Sequence, residues 1–325
     1  MKITAVETVF PLAEVFTISR GSRTEARVVT VTVERDGITG WGECVPYARY
    51  DETVDSVLAE IMALEADFAN GLDRKVLQSK LEGGAARNAL DCALWDWEAK
   101  NAGERASVMA GVPHIGPEIT AYTLSLADAD TMRAKAAEHA HRPLLKVKLG
   151  GEGDLARLRA VREGAPNTDI IIDANEGWDA ATYTELAPVL VELGVKMVEQ
   201  PMPAGDDEVL ATLDRILPVC ADESCHDRAS LPDLAGKYDM VNIKLDKTGG
   251  LTEALALKRD AIAAGFDVMV GCMVGSSLAM APATLLAQGA AFTDLDGPLL
   301  LAEDRDNALH FDERGVHPPE PALWG

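Results

Sequence analysis

A chain of 325 residues has room for one large barrel, alone or with a small companion domain. Hydrophobic residues make up 47%, as in globular proteins, and a formal charge of −23 excludes nucleic acid and anionic membrane as partners, because both require basic patches. No run of 18 apolar residues occurs, so no membrane-spanning helix is expected.

The first 45 residues read as antiparallel strands. Val28, Val29, Val31 and Val33 fall in a β-rich run, and Asp36-Gly37 is a hairpin turn before Gly40-Trp41-Gly42-Glu43. The stretch FTISRGSRTEA before that run, with Arg20, Gly21 and Arg23, reads as a polar, mobile loop. VPYARYDET, with Tyr47, Arg49 and Tyr50, reads as a second loop. Either is a substrate-contacting lid or a plain surface loop. Residues 52–102 have helical periodicity: Val54, Val57, Leu58, Ile61, Leu64 and Phe68, then Leu90, Leu94 and Trp97 before a Gly103 stop. Cys92, Trp95 and Trp97 suit a core.

From about residue 117 the pattern alternates strand and helix. Strands are expected at ITAYTLS, LLKVKLG, DIIIDAN, VKMVEQP, PVCADES, DMVNIKLD, FDVMVGCM and FTDLDGP. Eight strands in one direction imply a closed parallel barrel. The last 25 residues lack the pattern and are expected to fold back on the N-terminal unit. The division expected is a capping domain at 1–116, joined by about 300–325, and a barrel at 117–299. The N-terminus lacks a signal-peptide pattern, and the five cysteines form no CxxC pair. Both suit reduced thiols in a cytoplasm. A homo-oligomer is left open.

Five charged residues stand where the apolar runs end: Lys148, Asp173, Glu199, Asp222 and Lys244. Their spacings of 25, 26, 23 and 22 are those of successive strand–helix units. Barrel active sites lie at that end of the strands. Three converging carboxylates need a cation, and hard oxygen ligands suggest Mg²⁺. Histidines are few and none stands at a strand end of this array, so a histidine-ligated zinc site is not expected. Lys146 and Lys148 alternate on one strand and share a face, which is expected to lower each other's pKa and make a base. Asn175 could ligate the metal or orient the substrate. A cation on a substrate carboxylate favours loss of the adjacent α-proton, and a second lysine across the barrel, Lys244, could return it to the other face. Lys244 could instead act only through its charge.

These residues carry a resemblance. KVK at 146–148, DAN at 173–175, EQP at 199–201, ADES at 221–224 and NIKLDKTGG at 242–250, with ALDCALWD at 89–96, resemble the enolase superfamily and its muconate-lactonising subgroup over essentially the whole chain. The resemblance implies a (β/α)7β TIM-like barrel with an α+β cap built from the N-terminus and the C-terminal tail. It also implies Mg²⁺ on Asp173, Glu199 and Asp222, catalytic Lys148 and Lys244, and Lys146 as the neighbour that lowers the pKa. GCM at 271–273, GSSLA after it, and DLD at 294–296 are similar to the dipeptide epimerases, among them the L-Ala-D/L-Glu subset. That likeness implies Asp294 and Asp296, alternating on the last strand, as partners of a dipeptide's ammonium. It implies Arg20, ahead of Arg23, as the partner of a glutamate side chain. Thr123 and Lys247 complete the expected substrate contacts. Gly275 stands where many of these enzymes have glutamate, which removes a side chain near the site and leaves room for a wider pocket. Muconate cycloisomerase-like or o-succinylbenzoate synthase-like lyases and N-acylamino acid racemases are the alternatives. None of them binds a free amine, which would leave the aspartate pair unexplained.

Overall fold

The computed structural model describes residues 1–325. Three antiparallel strands open the chain: β1 (Lys2–Ile18), β2 (Gly21–Arg35) and β3 (Ile38–Cys44), in that sheet order. The alternating valines of β2 put Val29, Val31 and Val33 into one core with Ile61, Phe68 and Leu90 from the helices that follow. Asp36 and Gly37, both at positive φ (55° and 78°), make the β2–β3 turn, which a right-twisted hairpin favours. The helix Ala85–Ala102 lies directly on β3. Gly40 and Gly42 make this approach feasible, since a Cβ on either would fall 2.1 Å from a helix carbonyl oxygen, that of Ala93 or Ala89.

The expected mobile loop around Arg20 is instead the far end of a hairpin. After a register shift between Pro11 and Phe16, pairing resumes from Phe16–Arg23 to Ile18–Gly21. The hairpin docks on a barrel loop through its backbone: Thr17 N–H donates to Ser125 Oγ at 2.6 Å, and Leu126 N–H donates to the Thr17 carbonyl at 3.0 Å. The second loop contains a short 3₁₀ turn, Ala48–Tyr50.

Eight parallel strands follow: β4 (Tyr122–Leu124), β5 (Leu144–Lys148), β6 (Asp169–Asp173), β7 (Val195–Glu199), β8 (Val219–Ala221), β9 (Met240–Ile243), β10 (Asp267–Val270) and β11 (Phe292–Thr293). Each pairs with its sequence neighbour, and the sheet curls until a parallel bridge between Thr120 and Thr293 joins its ends. Period-2 alternation sorts the faces. Leu145 and Val147 face the outer helices and belong to the main core. Leu144, Ile171, Met197, Cys220, Met240 and Met269 fill the barrel interior as a separate apolar plug. Two residues further along β6 and β7, and one residue past the end of β8, the same inward face presents Asp173, Glu199 and Asp222. The plug is the floor on which the charged groups stand.

The tail returns across the chain. Leu301 bridges to Leu12, Trp324 Nε1–H donates to the Cys92 carbonyl at 3.0 Å, and Gly325 N–H donates to Asp96 Oδ1 at 2.7 Å. A small hairpin, β12 (Phe311–Asp312) and β13 (Gly315–Val316), completes it.

Candidate active site

The strand ends deliver the expected set to one place. Asp173, Glu199 and Asp222 are buried, and one carboxylate oxygen from each lies within 4.8 Å of the other two. Lys148 Nζ is 2.6 Å from Asp173 Oδ2, and Lys244 Nζ is 2.6 Å from Asp222 Oδ2. Lys148 ends β5 and Lys244 follows β9, four strands apart in a sheet of eight. The two ammonium groups therefore approach the cluster from opposite walls.

Lys146 Nζ reaches Glu199 Oε2 at 2.6 Å, Asp294 Oδ2 at 2.7 Å and Asp173 Oδ2 at 3.3 Å. Carboxylates, and not Lys148 alone, surround it. Burial pulls its pKa down, but Asp294, Glu199, Asp173 and Asp222 outweigh burial and hold it well above the ordinary lysine value. Lys244 is raised in the same way, burial being outweighed by Asp222 and Glu199. The carboxylates divide. Burial alone would raise Asp173, yet Lys148 and Lys146 hold it down at about 2. Asp222 lies well below its usual value because Lys244 and Lys247 outweigh burial. Glu199 is raised, first by burial and then by Asp173. Its Oε1 accepts from Asn242 Nδ2 at 2.7 Å, while Oε2 stands near Lys146 but off the hydrogen-bonding direction and accepts no bond. A buried carboxylate oxygen in that condition, beside two further carboxylates, suits a hard divalent cation.

A cavity of about 60 Å³ opens above the cluster, lined by Lys148, Lys244, Asn175, Asp222, Glu223, Thr123, Asp294 and Asp296, with Arg20, Arg23, Tyr47 and Tyr50 at its rim. Asn175 has φ +46°, donates its N–H to Asp173 Oδ1 at 2.9 Å, and leaves its buried Oδ1 without a partner. A larger cavity, about 300 Å³, shares Phe16, Thr123 and Leu300 with this one but holds none of the five strand-end groups.

Asp294 and Asp296 lie just beyond β11 rather than on it, because the strand ends at Thr293. Both are buried and face the cavity, while Leu295 between them points into the main core. Asp296 Oδ2 accepts the Thr123 N–H at 2.6 Å. Its carboxyl is pushed up to about 7, by burial first and then by the neighbouring Asp294 charge.

Arg20, at the tip of the β1–β2 hairpin, donates to Glu223 Oε1 at 2.8 Å, Glu176 Oε2 at 3.2 Å and the Asn175 carbonyl at 3.2 Å. Lys247 is placed elsewhere than expected. Its ammonium is spent on the Asp222 carbonyl (2.5 Å), Asp222 Oδ1 (2.7 Å) and the Asn242 carbonyl (3.0 Å), and it does not line the cavity. It supports Asp222 from below. Gly275 opens no extra room. A Cβ there would meet Val45 Cγ2 at 3.1 Å and Glu43 Oε1 at 3.2 Å, because the Glu43 carboxylate fills the space, held by Ser276 N–H at 2.8 Å and Arg305 Nη2 at 2.6 Å.

Glu223 was missed as a site residue. It follows Asp222, so strict alternation would turn it outward, but β8 ends at Ala221 and the loop swings it into the cavity. Burial, then Asp222 and Asp173, push its carboxyl up to about 7. Its position inside ADES was the available signal.

The enolase C-terminal domain-like family matches residues 128–320, and the mandelate racemase / muconate lactonizing enzyme N-terminal domain matches residues 1–109. The chain is 47% identical to an L-Ala-D/L-Glu epimerase of Escherichia coli (strain K12), over 96% of this chain and 98% of that one. It is 44% identical to an N-acetyl-D-glutamate racemase of a Pseudoalteromonas species, over 92% of this chain and 95% of that one. Among solved structures it superposes, with a TM-score of 0.98 and 54% identity over 99% of each chain, on an enolase family member from Agrobacterium tumefaciens with homology to dipeptide epimerases. That structure holds sodium and L-Ala-L-Glu, with an ordered loop.

Proposed function

The chain belongs to the enolase superfamily, in its mandelate racemase and muconate lactonizing enzyme branch, and from that premise we propose that it is a Mg²⁺-dependent dipeptide epimerase with L-Ala-D/L-Glu as substrate. The observation that carries the dipeptide reading is the buried pair Asp294 and Asp296 facing the same cavity as the two lysines. A carboxylate pair is a costly thing to bury and a natural partner for a free ammonium group.

In this reading Asp173, Glu199 and Asp222 hold the cation. When bound, Mg²⁺ offsets the negative charge that builds on the substrate carboxylate as the α-proton leaves. Lys148 and Lys244 face the α-carbon from opposite sides. One, in its neutral form, takes the proton from its face, and the other, protonated, delivers one to the opposite face. The neutral form is favoured once a cation offsets the Asp222 and Glu199 charges that otherwise hold Lys244 protonated. The configuration at the C-terminal residue inverts with no net gain or loss of atoms. Asp294 and Asp296 hold the N-terminal ammonium, with the Thr123 N–H orienting Asp296. Arg20 exchanges its pairing with Glu223 for the glutamate side chain of the substrate. Residues 1–116 with 300–325 form the cap and 117–299 the barrel. Ala-Glu specificity would give the enzyme a part in recycling cell-wall peptides in the cytoplasm, a compartment that five free cysteines suit.

The test is ¹H NMR of L-Ala-L-Glu in D₂O with enzyme and Mg²⁺. The expected result is loss of the glutamyl α-proton signal with new diastereomer peaks. No exchange in any dipeptide would overturn the proposal. The 44%-identical N-acetyl-D-glutamate racemase favours a second reading, racemisation of an N-acylamino acid. Exchange in N-acetylglutamate but not in L-Ala-L-Glu would establish it instead.

A further inference from the structure

The tail hairpin carries chemistry of its own. Phe311 pairs with Val316 and Asp312 with Gly315, so Glu313 and Arg314 form the turn and His310 stands opposite His317. The His317 N–H donates to the His310 carbonyl at 2.9 Å. On an antiparallel ladder, residues i and i+2 share a face with the residue opposite i. Register alone thus delivers His310, Asp312 and His317 to one side. The side chains meet there. His317 Nε2 lies 2.9 Å and His310 Nε2 3.7 Å from Asp312 Oδ2, and the two rings are 4.7 Å apart.

One ligand atom from each residue falls within 4.8 Å of the other two. A tetrahedral zinc site, with bonds of about 2.0–2.1 Å, needs its ligand atoms roughly 3.3 Å apart. The His310 side chain, 69% exposed, is free to swing inward and bring all three edges to that length. Two imidazoles and one carboxylate suit Zn²⁺, Ni²⁺ or Cu²⁺ better than Mg²⁺. A positive group already answers this set: Arg314, 62% exposed, donates to Asp312 Oδ2 at 3.1 Å and reaches His317 Nε2 at 3.4 Å. An exposed arginine can withdraw to solvent at small cost.

The frame beneath is fixed. Val316 and Glu118 exchange backbone hydrogen bonds of 2.9 and 3.0 Å, and a Cβ on Gly315 would fall 1.8 Å from the Glu118 carbonyl oxygen. A cavity of about 470 Å³, reaching Arg105 and Glu320, adjoins the two histidines and gives water access to the remaining coordination positions. Glu118 leads into β4, so the hairpin sits at the N-terminal end of the barrel, away from the strand ends that carry the carboxylate cluster. Histidines at the strand ends of the array were the sequence signal sought for such a site. These two meet only because the tail pairs them.

We propose that His310, Asp312 and His317 form a second, independent site for a borderline divalent cation, which clamps the tail hairpin. The test is calorimetric titration of the full chain, saturated with Mg²⁺, with Zn²⁺, alongside the His310→Gln, His317→Gln and double variants. The expected result is one Zn²⁺ bound per chain and an affinity loss of roughly 10–100-fold or more in each single variant, since losing a ligand costs at least what losing its supporting partner does. Mg²⁺-dependent turnover should be unchanged in the variants, and Zn²⁺ should raise the melting temperature of the wild type only. Equal Zn²⁺ binding by wild type and double variant, or no Zn²⁺ binding by the wild type, would overturn the proposal.

Discussion

Asp294 accepts a hydrogen bond from Lys146 through Oδ2, at 2.7 Å, and keeps its other oxygen buried without a partner. The carboxylate is anchored on the barrel side and has acceptor capacity left on its free oxygen. With Asp296 beside it, this is an electrostatic receptor for a cationic group.

Replacing Asp294 with Ala is expected to raise KM for L-Ala-L-Glu by about ten- to a hundredfold, the worth of a charge-assisted hydrogen bond. Activity on an N-acylated amino acid should fall less. Steady-state kinetics on the two substrate classes would check it. Equal losses on both would mean that Asp294 serves Lys146 and not the substrate.

The lysines on opposite walls predict a stereochemical split. Lys148→Ala and Lys244→Ala should each lower epimerisation by roughly 10²–10⁴-fold, the usual worth of a positioned base. Each variant should still exchange the α-proton of one diastereomer in D₂O, because the surviving lysine faces one side. NMR exchange on separate L,L and L,D dipeptides reads this directly. Loss of exchange from both diastereomers in one variant would assign its lysine a role other than that of one-sided base.

Chelation should abolish turnover and added Mg²⁺ should restore it. Asp222→Asn is expected to weaken the response to Mg²⁺, shifting the activation curve to higher concentration. Activity that survives exhaustive dialysis against chelator would refute the metal requirement.

Arg20 answers Glu223 and Glu176 at once. Arg20→Met should raise KM for L-Ala-L-Glu about tenfold or more while leaving an apolar dipeptide such as L-Ala-L-Leu nearly unaffected. A uniform loss across dipeptides would make Arg20 a brace for the Glu223 loop.

Asp246 supplies a pH signature in the cap–barrel contact. Burial pushes its carboxyl up to about 7, although it accepts from Val45 N–H at 3.0 Å and Asn88 Nδ2 at 2.8 Å. A raised carboxyl contributes stability that is fully present below the unfolded value of about 4 and is lost as pH rises through about 7. Asp246→Asn should therefore match the wild type near pH 4 and be more stable at pH 8, by on the order of 4 kcal/mol. Denaturant midpoints at the two pH values check the sign. A variant less stable at pH 8 would contradict it.

Much of this molecule is determined by local sequence. Strand periodicity, with a charged residue at or just past the end of five successive strands, fixes the eight-stranded barrel and the five groups from Lys148 to Lys244, because alternation along a strand and burial of both faces leave few other arrangements. Tertiary structure decided what depends on neighbours from distant strands. Four carboxylates gather around Lys146 and raise its pKa, where its own strand offered only a second lysine. Lys247 turns beneath Asp222, and Glu43 fills the space beside Gly275, each through a contact spanning tens to hundreds of residues. The polar tip at Arg20 is carried on a hairpin whose backbone, at Thr17, donates to Ser125 of a barrel loop. Glu223 enters the cavity because β8 stops one residue before Asp222. His310 and His317 become neighbours only when a hairpin pairs them. Period and charge are properties of a segment, whereas protonation, room and coordination are properties of what the fold brings beside it.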